Sequence, residues 1–230
     1  MRKIGLVGGM SWETTMQYYS RIQQKAAEVL GPNHTAPCLI YSIPFHELIA
    51  YQEAGDWKSV GAMMAEAGQA LERSGAEAVA FCSNTVHKET HYIRSQLQVP
   101  MLSIVDAVKA SLPPGIKRPF LLGTAFTMQA GFYQNEFAAH GIEIALPQQA
   151  DQEKLHQLIF GELCRGNVTP QAQQWVTDLL GDAAASQQVD AVIFGCTELD
   201  LLHVKDAGMP VISSTQAHIQ QITDFVSGHV

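Results

Sequence analysis

Two short segments of this chain break apolar runs with residues that can move protons. Residues 78–85 read Ala-Val-Ala-Phe-Cys-Ser-Asn-Thr, and residues 191–198 read Ala-Val-Ile-Phe-Gly-Cys-Thr-Glu. Laid together, Ser83 falls on Cys196, so a hydroxyl in one segment answers a thiol in the other. A thiol with an ordinary pKa near ~8.5 becomes a base or nucleophile when nearby backbone donors lower it. A free cysteine is as often a small buried core residue, and position alone leaves both readings of Cys196 open. A serine hydroxyl is a far weaker acid and needs an adjacent base. His87 is the nearest base to Ser83, one helical turn on, but it reads as a capping or surface histidine. Cys82 is one residue out of register. Neighbours on a strand point to opposite faces, which keeps Cys82 away from the side that Ser83 serves. Cys38 and Cys164 have no counterpart in the repeat and are assigned to packing.

The elements that must position these residues alternate. Ile4–Val7, Pro37–Ile43, Ala78–Phe81 and Val99–Val105 read as strands. Helices are predicted from Trp12 to about Leu30, with Ser11 as cap, from about Asp56 to Ser74, and over His87–Gln98. Pro113-Pro114-Gly115 breaks the pattern, which then restarts. Phe120–Leu122, Ile142–Leu146, Ala191–Phe194 and Met209–Ile212 read as strands. Met128–His140, Asp151–Arg165, Pro170 to about Ser186 and Ala217–Val226 read as helices. Strand–helix alternation implies parallel sheets covered on both faces. Three echoes occur at nearly the same shift: Val7-Gly8 with Leu122-Gly123, Ser83 with Cys196, and Val99-Pro100 with Met209-Pro210. The expectation is an α/β fold of two similar Rossmann-like lobes. The first covers 1–107, with 209–230 returning to it, and the second covers 108–208. Ligands of such sheets bind beyond the carboxyl ends of strands. The loops Gly8–Trp12, Ser83–His87, Gly123–Thr127 and Gly195–Glu198 qualify. Each alone is an ordinary tight turn; as two echoing pairs they suggest a cleft for a small carboxylate.

Composition narrows the classes. The 230 residues are 47% hydrophobic and 16% charged, which is ordinary for a globular chain. A net charge of −8 argues against a nucleic-acid surface, which needs a basic stripe. No run approaches the ~20 apolar residues of a membrane helix, and no apolar stretch near the start suits a secretory signal. The four cysteines lack CxxC or close Cys/His spacing of the structural zinc type. A reducing cytoplasm with free thiols is expected. Gly5-x-x-Gly8-Gly9 lacks dinucleotide-fingerprint spacing, and no Gly-Lys-Ser/Thr P-loop occurs.

Taken together, Gly8-Gly9-Met10-Ser11-Trp12-Glu13, Leu122-Gly123-Thr124, Ser83-Asn84-Thr85-Val86-His87, Glu162-Leu163-Cys164-Arg165-Gly166 and Phe194-Gly195-Cys196-Thr197-Glu198 resemble the aspartate/glutamate racemase family. These racemases are cofactor-independent, and the likeness runs in order over essentially the whole chain. It implies two α/β lobes related by a pseudo-twofold with the active site between them, no pyridoxal phosphate, no metal and a homodimer. It implies one cysteine per lobe flanking the α-carbon of a small amino acid or dicarboxylate. One thiolate removes the α-proton, and the other thiol returns a proton to the opposite face. Carried over by position, Cys196 is the second cysteine, while Ser83 stands where the first belongs. Asn84, Thr85 and Thr197 match groups that hold the α-carboxylate or amine. Met10 and Ser11 match the first loop, Thr124 its echo, and Gln52 a loop that also reaches the substrate. Arg165 matches a position that often carries a basic residue for the side-chain carboxylate; a solvated charge at a helix end is the plain alternative. A branch of the family carries a hydroxyl residue at the position of Ser83, which implies a racemase that treats the two enantiomers unequally, with the L-substrate expected to be favoured. The competing readings are a single-thiol decarboxylase or isomerase of the same superfamily, and a non-catalytic dicarboxylate-binding protein.

Overall fold

The structure, a computed structural model, describes residues 1–186, 188–202, 204 and 208–228. The chain divides into two compact units: Met1–Ala107 together with the chain from Ala217 onward, and Val108–Gln216.

In the first unit, β1 (Ile4–Gly8) is buried throughout and leads into α1 (Trp12–Leu30). Ser11 caps this helix by accepting from the Thr14 N–H, and Glu13 sits in its first turn, where the helix dipole favours a negative charge. Thr14, Thr15, Tyr18, Ile22 and Ala26 form its buried stripe, and Gly31 ends it. Then follow β2 (Cys38–Ser42), α2 (Phe45–Glu53), α3 (Trp57–Arg73), β3 (Ala78–Phe81), α4 (Thr90–Gln96), β4 (Met101–Leu102) and α5 (Ile104–Ser111). Asp56 caps α3, accepting from the N–H and hydroxyl of Ser59. The sheet order is β2-β1-β3-β4, all parallel, with Val7 opposite Tyr41 and Phe81.

The strands alternate strictly between two cores. Val7, Val79 and Phe81 pack with Val60, Met64 and Leu71 of α3. Ile4, Leu6, Ala78, Ala80 and Cys82 pack with Tyr18, Ile22 and Ala26 of α1 and with Ile219, Ile222 and Phe225 from the end of the chain. Burial on both faces is why these strands read as continuous apolar runs. Each Leu- or Phe-sized side chain so buried contributes about 1.5–3 kcal/mol.

The second unit repeats the plan. β5 (Pro119–Leu122), α6 (Ala125–Gln129), α7 (Phe132–Ala138), α8 (Gln149–Gly161), α9 (Pro170–Ser186), β6 (Ala191–Phe194) and β7 (Val211–Ser213) follow in order, and α10 (Ser214–Ser227) then carries the chain into the first unit from Ala217. The parallel sheet runs β5-β6-β7, with Ala145 bridging Phe120 where a fourth strand would lie. That order mirrors the first sheet, so the sequence echoes correspond to equivalent strands. No described helix is long and apolar enough to cross a membrane.

Several expectations need correction. Of the segment 209–230 expected in the first lobe, 209–216 belongs to the second unit, because β7 pairs with β6; residues 229–230 lie outside the described residues. The strand expected at 142–146 is a single bridge. The helix expected over 128–140 is two helices, because Gly131 adopts φ 78 between them. Only Met101–Leu102 of the Val99–Val105 strand is extended; Ser103 starts α5, its carbonyl accepting from Ala107 N–H at 3.0 Å.

Candidate functional site

The carboxyl edge of the first sheet gathers the loops that follow β1, β2 and β3. Gly9 turns the chain at φ 86, and a Cβ there would lie 2.7 Å from the Ile43 carbonyl oxygen, so only glycine fits. Its N–H donates to Thr15 Oγ1 at 2.9 Å, and that hydroxyl donates to the Ser11 carbonyl at 3.0 Å. Met10 packs its side chain into the α3-side core, which leaves the backbone of this loop as its polar surface. Ser11 adopts φ 146, a region costly for a side-chain-bearing residue, of order 1–3 kcal/mol. Its hydroxyl both caps α1 and donates to Glu13 Oε2 at 2.9 Å. Gln52, in the last turn of α2, is buried, and its amide makes no hydrogen bond among the described residues.

After β3 the chain turns sharply, with Ser83 N–H donating to the Phe81 carbonyl at 2.8 Å. Ser83 is partly exposed, and its hydroxyl has no side-chain partner among the described residues. Asn84 and Thr85 are buried and open a 3-10 turn, Thr85–Glu89. His87 is not a surface residue, being 2% exposed, and its ring caps α5 from a distance in sequence. Its Nδ1 lies 2.8 Å from the Ser83 carbonyl oxygen, and its Nε2 accepts the Ile104 N–H at 3.2 Å. Burial, offset by the Ser83 and Asn84 carbonyls, lowers its pKa to about 4. Cys82 is enclosed in the α1-side core, and burial pushes its thiol far up.

The second sheet assembles a second set. Thr124 follows β5 and caps α6, accepting from Thr127 N–H at 3.2 Å. The Ala125 N–H donates to His156 Nδ1 at 3.3 Å, and burial lowers the pKa of that ring. Gly195 follows β6 and donates to the Leu122 carbonyl at 2.7 Å. A Cβ at Gly195 would come within 2.9 Å of Leu121 Cδ1 and 3.1 Å of the Leu122 oxygen, so the residue before Cys196 must be small. Cys196 is partly exposed and extended, at the mouth of a 3-10 turn, Thr197–Leu201. Its thiol donates to Glu198 Oε2 at 3.0 Å, and the Thr197 hydroxyl donates to the same oxygen at 2.6 Å. Burial, the Glu198 charge and the hydrogen bond to it hold the Cys196 pKa well above 9.0, with the Cys164 thiol adding to the rise. The thiol and the Glu198 carboxylate thus share one hydrogen bond, and burial and the carboxylate both disfavour the thiolate. The turn Leu163–Arg165 lies beside Thr197–Leu201 and ends on Arg165. Arg165 is exposed and makes no ion pair among the described residues.

Sequence reasoning read Glu198 only as loop and missed it as the partner of Cys196; its place two residues on, in a turn, was the available signal. It also missed how close Cys164 comes to Cys196. Among the described residues no three His, Cys, Asp or Glu side chains group as metal ligands. All four cysteines are free.

The family described as Asp/Glu/Hydantoin racemase matches residues 7–222. A Yersinia pestis crystal structure assigned as an Asp/Glu racemase matches 99% of this chain and 100% of its own, at 36% identity and a TM-score of 0.92. An aspartate racemase homologue from Pyrococcus horikoshii OT3 matches the same shares at 34% identity and a TM-score of 0.86. The broad specificity amino-acid racemase RacX of Bacillus subtilis is 25% identical over 219 residues, 92% of each chain.

Proposed function

Because this chain belongs to the Asp/Glu/hydantoin racemase family, we propose that it racemises an acidic amino acid, aspartate or glutamate, using Cys196 and Ser83 as its proton-handling groups. Membership makes it an isomerase of racemase type. The observation that carries the finer reading is the thiol–carboxylate pair: Cys196 Sγ rests 3.0 Å from Glu198 Oε2. As the substrate α-proton is taken, the thiol proton passes to Glu198 and the sulfur becomes the base. The carbanion that forms needs fixed dipoles around its carboxylate. Asn84, Thr85 and Thr124, with the backbone of Met10 and Ser11, supply donors of that kind, joined by Thr197 when its hydroxyl turns from Glu198 to the substrate. The buried amide of Gln52 is a further donor. The guanidinium of Arg165 pairs with the distal carboxylate.

Ser83 sets this chain apart as a one-thiol member. Among the described residues its hydroxyl has no base beside it, so it serves proton return better than proton removal, and exchange is fast from one enantiomer only. The test is solvent deuterium exchange at the α-carbon of each enantiomer of aspartate and glutamate. Exchange that Cys196→Ala abolishes supports the reading. Binding of aspartate without exchange, in protein shown to be folded, refutes it.

The setting is a homodimer in the cytoplasm. The apolar face of Trp12, Met16 and Tyr19 on α1, together with Ile40 on the edge strand β2, favours a second copy as the cover for that edge. Sedimentation equilibrium of the native chain and of Trp12→Ser distinguishes dimer from monomer.

A further inference from the structure

Two sets of hydrogen bonds in the first unit, one on His87 and one on His218, meet through their rings, and the first ends on Ser83. Tyr18 of α1, His87 and His218 of α10 are each 2% exposed or less. The Ile104 N–H can only donate, so His87 Nε2 carries a lone pair and Nδ1 carries the proton. The Ser83 carbonyl can only accept, and it takes that proton's hydrogen bond at 2.8 Å. The same logic fixes the second ring. The Leu102 carbonyl, 3.0 Å from His218 Nε2, requires a proton there, so His218 Nδ1 accepts the Tyr18 hydroxyl at 3.0 Å. The rings of His87 and His218 pack edge to face with centroids 6.2 Å apart, and Phe81 packs edge-on against His87 at 6.4 Å. Each ring therefore has one tautomer, one orientation and both nitrogens occupied.

We propose that His87 is a positioning residue that sets the direction of the Ser83 side chain by holding the Ser83 carbonyl, with His218 and Tyr18 locking His87 in place. Ser83 sits in a turn whose own N–H is tied back to Phe81. With N–H and C=O both anchored, its Cα–Cβ bond has one direction. Without the carbonyl anchor the peptide after Ser83 can rotate, and the hydroxyl moves with it. A displacement of ~1 Å at a group near the chemistry costs on the order of 100-fold. The inference rests on Ser83 acting as the second proton-handling group, and two substitutions separate its parts. His87→Asn keeps a donor at the place of Nδ1, facing the Ser83 carbonyl, and removes the acceptor for Ile104. His87→Gln does the reverse, since its amide reaches the place of Nε2.

The experiment measures α-deuterium exchange from both enantiomers in the native chain and in both variants, beside their unfolding midpoints. The expected result is that His87→Asn keeps the native ratio of the two exchange rates. His87→Gln should leave exchange through Cys196 within a few-fold and depress exchange through Ser83 by about 100-fold. A ratio unchanged in both variants, or rates that fall in step in both, overturns the inference and leaves His87 a purely structural residue. A second readout needs no turnover. In a Ser83→Cys background, the alkylation rate of the introduced thiol, read by peptide mass spectrometry, should change with His87→Gln and not with His87→Asn. Equal rates in both overturn the inference even where the native chain shows no exchange, a result that would count separately against the proposed function.

Discussion

Lowering the pH from 8 to 5 should cost this protein a large share of its stability through two side chains. Burial holds the pKa of His87 at about 4, and burial with the neighbouring His87 charge holds that of His218 at about 3. Arg94 opposes a positive His87 and Asp106 favours one, and those two form an ion pair at 2.6 Å. In the unfolded chain both rings titrate near ~6.5. The unfolded state therefore takes up protons first, so the stability each neutral ring contributes is complete above ~6.5 and is lost as the pH falls toward the folded values. At pH 5, ~1.5 units below the unfolded pKa and still above both folded ones, each ring costs about 2 kcal/mol, or about 4 kcal/mol together. That is a substantial part of the ~5–15 kcal/mol typical of a folded domain. Urea unfolding followed by circular dichroism at pH 8, 6.5 and 5 measures the loss. Imidazole proton shifts in the native protein should show two rings still neutral at pH 5. The reasoning is refuted if the unfolding free energy falls by less than about 1 kcal/mol, or if both rings titrate near ~6.5 in the folded protein.

Three further outcomes can be checked. In Glu198→Gln, Cys196 loses the carboxylate that disfavours its thiolate, so alkylation at neutral pH should quicken while α-proton exchange falls about 10²–10⁴-fold; a fall in both would deny Glu198 its role as proton acceptor. Cys82→Ser places a hydroxyl in the α1-side core and should lower the unfolding midpoint while leaving exchange rates within a few-fold. Loss of activity beyond about 100-fold in folded protein would make Cys82 a participant instead. Arg165→Ala should raise KM for aspartate about 10–150-fold, the loss of one charged hydrogen-bonded pair, with no change in thermal midpoint because Arg165 is exposed and without an ion pair among the described residues.

The features that the sequence displayed were those with a strong local cause. Ala78–Phe81 and Ala191–Phe194 read as buried strands because both faces of each are covered, and Ser11 read as a cap because its hydroxyl has few other local uses. The weak points had competing causes. Val99–Val105 is rich in β-branched residues, yet the start at Ser103 turns Ile104 onward into helix. Phe45–Glu53 has Pro44 before it, a residue that reads as a stop and here stands at the N-cap of α2. At the site, the register of Ser83 with Cys196 was visible because the period of a strand is two. The depth of His87 was not, because its burial depends on His218, 131 positions further along. Glu198 was passed over because its significance lies in a hydrogen bond within a turn, which no periodicity reports.

The alternation along β3 has an evolutionary consequence. Position 82 is fixed by the core between α1 and α10, whereas position 83 lies past the last residue of the strand, partly exposed and outside both cores. Serine and cysteine differ there by one atom. Position 83 belongs to neither core that flanks the sheet, so exchange of oxygen for sulfur there leaves both cores as they are. On the role proposed for Ser83, the stereochemical balance of such an enzyme is open to mutation almost independently of its foldability. A lineage can move between one-thiol and two-thiol chemistry in a single step, in either direction, without crossing a valley of unstable intermediates.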